Sequence, residues 1–334
     1  MSLPVAPMHD PVAAPLAGSD LSPEELRGLE LEIGELRREQ DAVILAHNYQ
    51  VPEVQAVADF VGDSLQLALE ARRAPESTLV FCGVHFMAES AKVLNPDKRV
   101  LLPNLSAGCS LADSITPESL EDWKVRYPDH AVVTYVNSSA EVKALSDICC
   151  TSANAASVVR SLPEKKILFT PDKNLGAWVR KKVPEKEVVV YDGCCPVHDV
   201  LRGGSVNRLK EKSPLAVVIA HPECRADVLE VADEVCSTTA MLAAVERHPA
   251  ARTFIVATEH GMVHQLRRRF PDREFVIADG CIGCRMHCPY MKMIDLLMVR
   301  DALRRGRHEI VVPPDVARGA RLALERMMAV PRDT

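Results

Sequence analysis

The chain has 334 residues, 47% hydrophobic and 26% charged, with a formal net charge of −6. That length exceeds one compact core and predicts two or three domains of ordinary soluble composition. The basic residues are scattered, which excludes a nucleic-acid footprint, and no apolar run approaches the roughly 18 residues needed to span a bilayer.

Residues 1–20 are rich in Pro and Ala, without a basic start or an apolar core. They read as a disordered tail rather than a signal peptide, which predicts a cytoplasmic chain. Ser22 and Pro23 then cap and open a helix over 23–40. From residue 42, short runs of Val, Ile and Leu alternate with longer helical patterns. The runs are 43–46, 79–81, 100–102, 132–136, 167–169, 188–191, 217–220, 254–257 and 275–278. They are apolar on both faces, as strands of parallel sheets covered by helices are. From Met291 the pattern gives a helix, an extended piece near 310–312 and a final helix, expected to pack back on the first unit.

The nine strands fall into three groups that can be superposed. The first strand of each ends in His47-Asn48-Tyr49, Tyr135-Val136-Asn137 or His221-Pro222-Glu223. Twelve residues after each leading residue comes Asp59, Asp147 or Asp233, and five later Ser64, Ser152 or Thr238, each opening a helical stretch. The leading residues lie 88 and 86 positions apart, so the repeating unit is a whole α/β domain. The expected fold is three similar three-layer α/β domains with short parallel sheets, arranged with pseudo-threefold symmetry around a central active site. Boundaries are expected at 21–107 plus 289–334, 108–194 and 195–288. Ligands of parallel α/β sheets bind beyond the carboxyl ends of the strands, where all these triplets lie.

The 11 cysteines are odd in number, and without an export signal they point to metal or redox chemistry rather than disulfides. Cys82, Cys149 and Cys150 sit in or beside apolar runs and read as small buried residues. Each copy has cysteine after its third strand: Cys109, then Cys194-Cys195, then Cys281, Cys284 and Cys288. One thiolate per domain gives three ligands, which suits neither a closed zinc site nor a fully ligated cluster. A [4Fe–4S] cluster on three cysteines leaves one iron open as a Lewis acid. The spacing Cys109 to Cys195 is 86 residues, as is Cys195 to Cys281, whereas the Pro289 that follows Cys288 favours Cys288.

The stretches AHNYQVPEVQAVADFVGDSLQLA, FCGVHFMAESAKVLNP, AGCSLAD, YVNSSAEVKA, CCTSANA, PDKNLGAWV, CPVH, HPECR, CSTTAM and CPYMKM resemble the bacterial quinolinate synthase A family over about residues 41–295. The resemblance implies one [4Fe–4S] cluster per chain on Cys109, Cys195 and Cys288. It implies condensation of iminosuccinate with dihydroxyacetone phosphate to quinolinate, phosphate and two waters, in de novo NAD biosynthesis. L-aspartate oxidase would be the upstream partner, with no nucleic acid or membrane involved. The run Cys281-Ile282-Gly283-Cys284-Arg285-Met286-His287-Cys288 has one residue more in its second gap than the family's C-x-x-C-x-x-C. Cys281 and Cys284 could form a redox pair.

Substrates with two carboxylates and a phosphate call for anion sites. Ser64, Ser152 and Thr238 at helix starts are candidates, against simple capping as their alternative duty. His47 and His221, at matched strand ends, would bind carboxylate or move protons. Tyr135 and Asn137 would donate hydrogen bonds, Tyr49 a proton, and Glu223 would serve as base. His198, three residues after Cys195, would support the cluster from behind. Asp59, Asp147 and Asp233 read as structural, tying a helix end to its neighbour. The competing functions are another three-cysteine hydro-lyase acting on a small hydroxy acid, or a thiol redox or metal sensor built on Cys281 and Cys284.

Overall fold

Helix Pro23–Glu39 begins where expected: Ser22 accepts from the Glu25 amide, and the Glu25 carboxylate accepts from the Ser22 amide. The computed structural model describes residues 21–279 and 286–333, so Cys281 and Cys284 lie outside the described residues.

The apolar runs form three four-stranded parallel sheets. The first contains β1 (Ala42–His47), β2 (Phe60–Gly62), β3 (Thr78–Cys82) and β4 (Arg99–Leu101). The second contains β5 (Ala131–Tyr135), β6 (Ile148–Cys150), β7 (Lys166–Thr170) and β8 (Glu187–Val190). The third contains β9 (Val217–Ala220), β10 (Glu234–Val235), β11 (Thr253–Ala257) and β12 (Glu274–Ile277). All three share one order, β2-β1-β3-β4 and its equivalents, with helices between successive strands. Every residue of β1, β3 and β5 is buried, which is why these strands carry no polar alternation.

Each sheet has one strand more than the sequence pattern suggests. β2, β6 and β10 are edge strands of three, three and two residues, too short to show a period. Cys149 and Cys150, read as buried thiols, lie in one of them and are fully buried.

The recurring aspartates dock these edges. The Asp59 carboxylate accepts from the Ile44 amide at 2.9 Å, and the Asp59 amide donates to the Ile44 carbonyl at 2.9 Å. Asp147 repeats this on Val132 (2.7 and 3.1 Å) and Asp233 on Val218 (2.8 and 2.9 Å). Their role is thus to join a strand to a strand, not a helix end to its neighbour. Asp147→Ala would leave the buried Val132 amide without an acceptor, at a cost of about 1–3 kcal/mol. A urea titration followed by circular dichroism should show a lower midpoint for Asp147→Ala and a smaller loss for Asp147→Asn, which keeps an accepting oxygen. Equal losses would assign the effect to the charge.

After the third sheet the chain returns. Helix Leu296–Arg305 is capped by Asp295, packs on Pro23–Glu39 and β3, and ends at Gly306 with φ 57°. The extended piece then runs along the edge of the first sheet: Ile310 donates to the Val100 carbonyl at 2.8 Å and Leu102 to His308 at 3.1 Å. Final helix Pro314–Met328 does not lie on the first unit alone. It packs on Ala140–Ala144 and β6 of the second unit and on His85–Leu94 of the first. Among the described residues, no helix is long and apolar enough to cross a membrane.

Candidate active site

A cavity of about 70 Å³ opens beyond the carboxyl ends of all three sheets. From the first it receives His47, Tyr49, Ser64 and Cys109, and from the second Tyr135, Asn137, Ser152, Cys195 and His198. The third supplies His221, Glu223, Thr238 and Cys288. Every sequence-expected site residue within the described residues therefore lines one space.

The third cysteine is placed by a recurring backbone hydrogen bond. The His85 amide donates to the Ala107 carbonyl, Lys173 to Gly193 and His260 to Met286, each at 2.7 Å. The cysteine two residues beyond each acceptor is Cys109, Cys195 and Cys288. These three are structurally equivalent although their sequence spacing is unequal. Each precedes a short helical turn: Ala112–Ser114, Pro196–Asp199 and Tyr290–Met293. Backbone N–H groups of that turn reach the sulfur: Ala112 and Leu111 at Cys109, His198 at Cys195, Met291 and Tyr290 at Cys288. Such donors suit a sulfur that carries negative charge as a metal ligand. Burial pushes Cys109 up to about 12 and raises Cys195 and Cys288 as well, so metal uptake must displace their protons. Three thiols, one from each sheet in one cavity, fit an iron–sulfur cluster that keeps one iron free of protein thiolate.

Two buried carboxylates that sequence reasoning missed hold these turns. Asp172, two residues after β7, accepts from the Leu175 amide at 2.7 Å and the Cys195 amide at 3.1 Å. Glu259, two residues after β11, accepts from the Gly261 amide at 2.6 Å and the Cys288 amide at 3.1 Å. The first unit has Val84 at this position, so no threefold pattern could announce the acids. Burial raises the Asp172 carboxyl well above its usual range, with the Glu223 charge adding to it. Burial also raises Glu259, against the Lys292 ammonium 2.9 Å away. Lys292 donates to the Tyr49 carbonyl too. Gly193 is required by close approach: a Cβ there would lie 2.6 Å from the Pro171 carbonyl oxygen.

A hydrogen-bonded relay crosses the cavity wall. The Tyr49 hydroxyl is 2.6 Å from Thr258 Oγ1, which is 3.0 Å from His198 Nε2. His198 Nδ1 lies 3.2 Å from both Glu223 Oε2 and Cys195 Sγ. Burial lowers His198 to about 4, so its imidazole is neutral near pH 7. One assignment satisfies the chain: Tyr49 donates to Thr258, Thr258 to Nε2, and Nδ1–H to Glu223. Burial alone would raise Glu223, yet His198 and His221 outweigh it and hold the carboxyl below its usual value. Glu223 Oε1 and Asn137 Oδ1 are buried without a hydrogen-bond partner among the described residues, two acceptors facing a space that can hold a donor. Burial raises Tyr49 and Tyr135 well above the usual phenol value, with the Glu223 charge second, so both stay donors. His47 Nδ1 accepts from the Tyr49 amide at 3.1 Å, and His221 Nδ1 is 3.3 Å from the Glu223 amide. Burial lowers His47 to about 4, which leaves a neutral ring with its Nε2–H to donate. Thr258 was also missed; a lone threonine after a strand carries no local signal.

The three hydroxyls do not cap helices. Asp63 caps helix Ser64–Arg73, and Asp333 caps helix Ala155–Ser161, accepting from Ala156 at 3.1 Å and Ser157 at 2.7 Å. Two of the three expected helix-start anion sites are thus already occupied by carboxylates. At helix Thr238–Arg247, Ser237 makes no capping hydrogen bond. The hydroxyls point to other partners: Ser152 Oγ is 3.1 Å from His221 Nε2, and Thr238 Oγ1 accepts from Asn48 Nδ2 at 2.8 Å.

The family model described as Quinolinate synthetase A protein matches residues 31–329. A protein of Geotalea uraniireducens named Quinolinate synthase is 49% identical over 302 residues, covering 90% of this chain and 97% of the relative. One of the same name from Caldicellulosiruptor saccharolyticus is 46% identical over 304 residues (91% and 99%), and Quinolinate synthase 1 of Methanosarcina acetivorans is 47% identical over 298 (89% and 96%). Matches of this extent leave no part of the three-sheet body outside the likeness, and the chain belongs to the quinolinate synthetase A family of enzymes.

Proposed function

We propose that the chain condenses iminosuccinate with dihydroxyacetone phosphate to quinolinate, releasing phosphate and two waters. Cys109, Cys195 and Cys288 would hold a [4Fe–4S] cluster, in a cytoplasmic route to NAD. The observation that carries this reading is a single cavity in which one thiol from each sheet faces the Tyr49–Thr258–His198–Glu223 relay. When bound, a cluster with one iron free of protein ligands supplies a Lewis acid for loss of a hydroxyl group.

The chain's own residues do the rest. Carbon–carbon bond formation and aromatisation require protons to leave the carbon next to the imine. Glu223, ionised and backed by two imidazoles, accepts them. Tyr49, kept protonated by burial, delivers a proton where a hydroxyl departs once its O–H turns from Thr258 to the cavity. Neutral His47 Nε2–H, the Asn137 amide and the hydroxyls of Ser64, Ser152 and Thr238 bind carboxylates and phosphate. Their hydrogen bonds, rather than free helix ends at Ser64 and Ser152, provide the recognition. Iminosuccinate hydrolyses readily in water, so an aspartate-oxidising enzyme such as L-aspartate oxidase is the natural source.

The test is anaerobic purification with iron and sulfide analysis. Incubation with dihydroxyacetone phosphate and iminosuccinate, formed in place from oxaloacetate and ammonia, follows. Quinolinate should appear only when both substrates are present. An iron-loaded protein that makes none would sink the reading, and a hydro-lyase would act without the phosphate ester.

A further inference from the structure

Asp63 lines the cavity beside Ser64 and is only 4% exposed. A bare carboxylate on that wall would repel substrates carrying carboxylates and a phosphate. It is not bare. Arg332 Nη1 donates to Oδ2 at 2.7 Å and Nη2 to Oδ1 at 3.0 Å, a two-pronged pair. The other hydrogen-bond partners of Asp63 are neutral: the Gln66 amide at 2.9 Å, the Ser237 hydroxyl at 3.3 Å and the Thr239 hydroxyl, which also accepts from the Asp63 amide at 3.1 Å. The adjacent Asp333 seats on the opposite wall. Its carboxylate takes the Ala156 and Ser157 amides, and its own amide donates to the Ala153 carbonyl at 2.7 Å, next to Ser152. Both residues follow the last helix, beyond the 31–329 stretch that the family model matches.

We infer that Arg332 is a positioning residue for substrate binding. It cancels the Asp63 charge at the anion-binding wall and, with Asp333, holds the Ser64 and Ser152 walls in register. The inference rests on the proposed reaction in that the substrates are anions. Arg332→Met exposes Asp63 as an uncompensated negative charge. Asp63→Asn on top of it removes that charge while keeping an oxygen for the Gln66 amide.

The test compares wild type, Arg332→Met, Arg332→Lys and Asp63→Asn/Arg332→Met as holoenzymes. The expected result is a KM for dihydroxyacetone phosphate raised at least about tenfold in Arg332→Met, with kcat and iron content changed far less. Arg332→Lys should fall between, and the double variant should recover most of the KM. An unchanged KM in Arg332→Met, a double variant no better than the single one, or a urea midpoint that falls in Arg332→Met and recovers in the double variant in step with KM would overturn the inference, since relief of an unpaired buried charge also mends a merely structural clamp. Calorimetric titration with succinate, a dianion, reads the same contrast without turnover. If wild type made no quinolinate, the reaction would be wrong, yet the succinate series would still decide whether Arg332 screens Asp63.

Discussion

Glu223→Gln should lower kcat by about 10²–10⁴-fold, the usual contribution of a positioned acid or base, while iron and sulfide stay at the wild-type level. Glutamine matches glutamate in size, and its carbonyl oxygen can still accept from His198 Nδ1 at the site now 3.2 Å away. What it lacks is a site that takes up a proton. The surrounding groups stabilise the charged carboxylate, through His198 and His221 against burial, so the substitution removes what the site is arranged to hold. Turnover within about tenfold of wild type would remove Glu223 from the proton path. Loss of iron would carry a different message. Cys195, His198 and Glu223 place their ligand atoms within 4.8 Å of one another, so an iron-free variant would show Glu223 to be part of the metal site itself.

Cys288→Ala should abolish iron binding and turnover together, as should Cys109→Ala and Cys195→Ala, because on the proposed reading each would remove one of three thiolates that only jointly hold the cluster. Cys288 is the sharpest case. By residue count the 86-residue repeat points to Cys281. The His260–Met286 hydrogen bond, matched at His85–Ala107 and Lys173–Gly193, points to Cys288, which lies two residues beyond the acceptor. The Glu259 carboxylate on the Cys288 amide holds it there, as Asp172 holds Cys195. Iron and acid-labile sulfide assays with the visible absorption spectrum are the readout. A Cys288→Ala protein with a full cluster would place the third ligand elsewhere, and Cys281→Ala would then be the variant that loses it.

Most of the fold and much of the site were legible in the sequence, for a physical reason. Central strands of a parallel sheet are apolar on both faces, so β1, β3, β5, β7, β9 and β11 stand out as runs, and the edge strands β4, β8 and β12 are apolar enough to join them. Ligand-facing residues must follow those runs, because the topology opens its cavity at the carboxyl ends. The triplets after β1, β5 and β9 and the cysteines after β4, β8 and β12 could therefore be named before any contact was known. The family resemblance of the quoted stretches supplied the chemistry.

What the tertiary structure alone decided involves partners that no local pattern connects. β2, β6 and β10 exist because Asp59, Asp147 and Asp233 bind an amide 15 residues earlier. Asp172 and Glu259 matter because each is buried against a cysteine amide 23 or 29 residues on. Ser64, Ser152 and Thr238 were expected at free helix ends, but Asp63 and Asp333 already cap two of them. Arg332 meets Asp63 across 269 residues of chain. Period and propensity report only neighbours along one element. A charge's role depends on its burial and on which opposite charge reaches it, and both are set when the three sheets close on one cavity. The sequence by itself determined three like units with candidate site residues at the strand ends; the packing of those units determined that Cys288 is the structural counterpart of Cys109 and Cys195 and that Arg332 reaches Asp63.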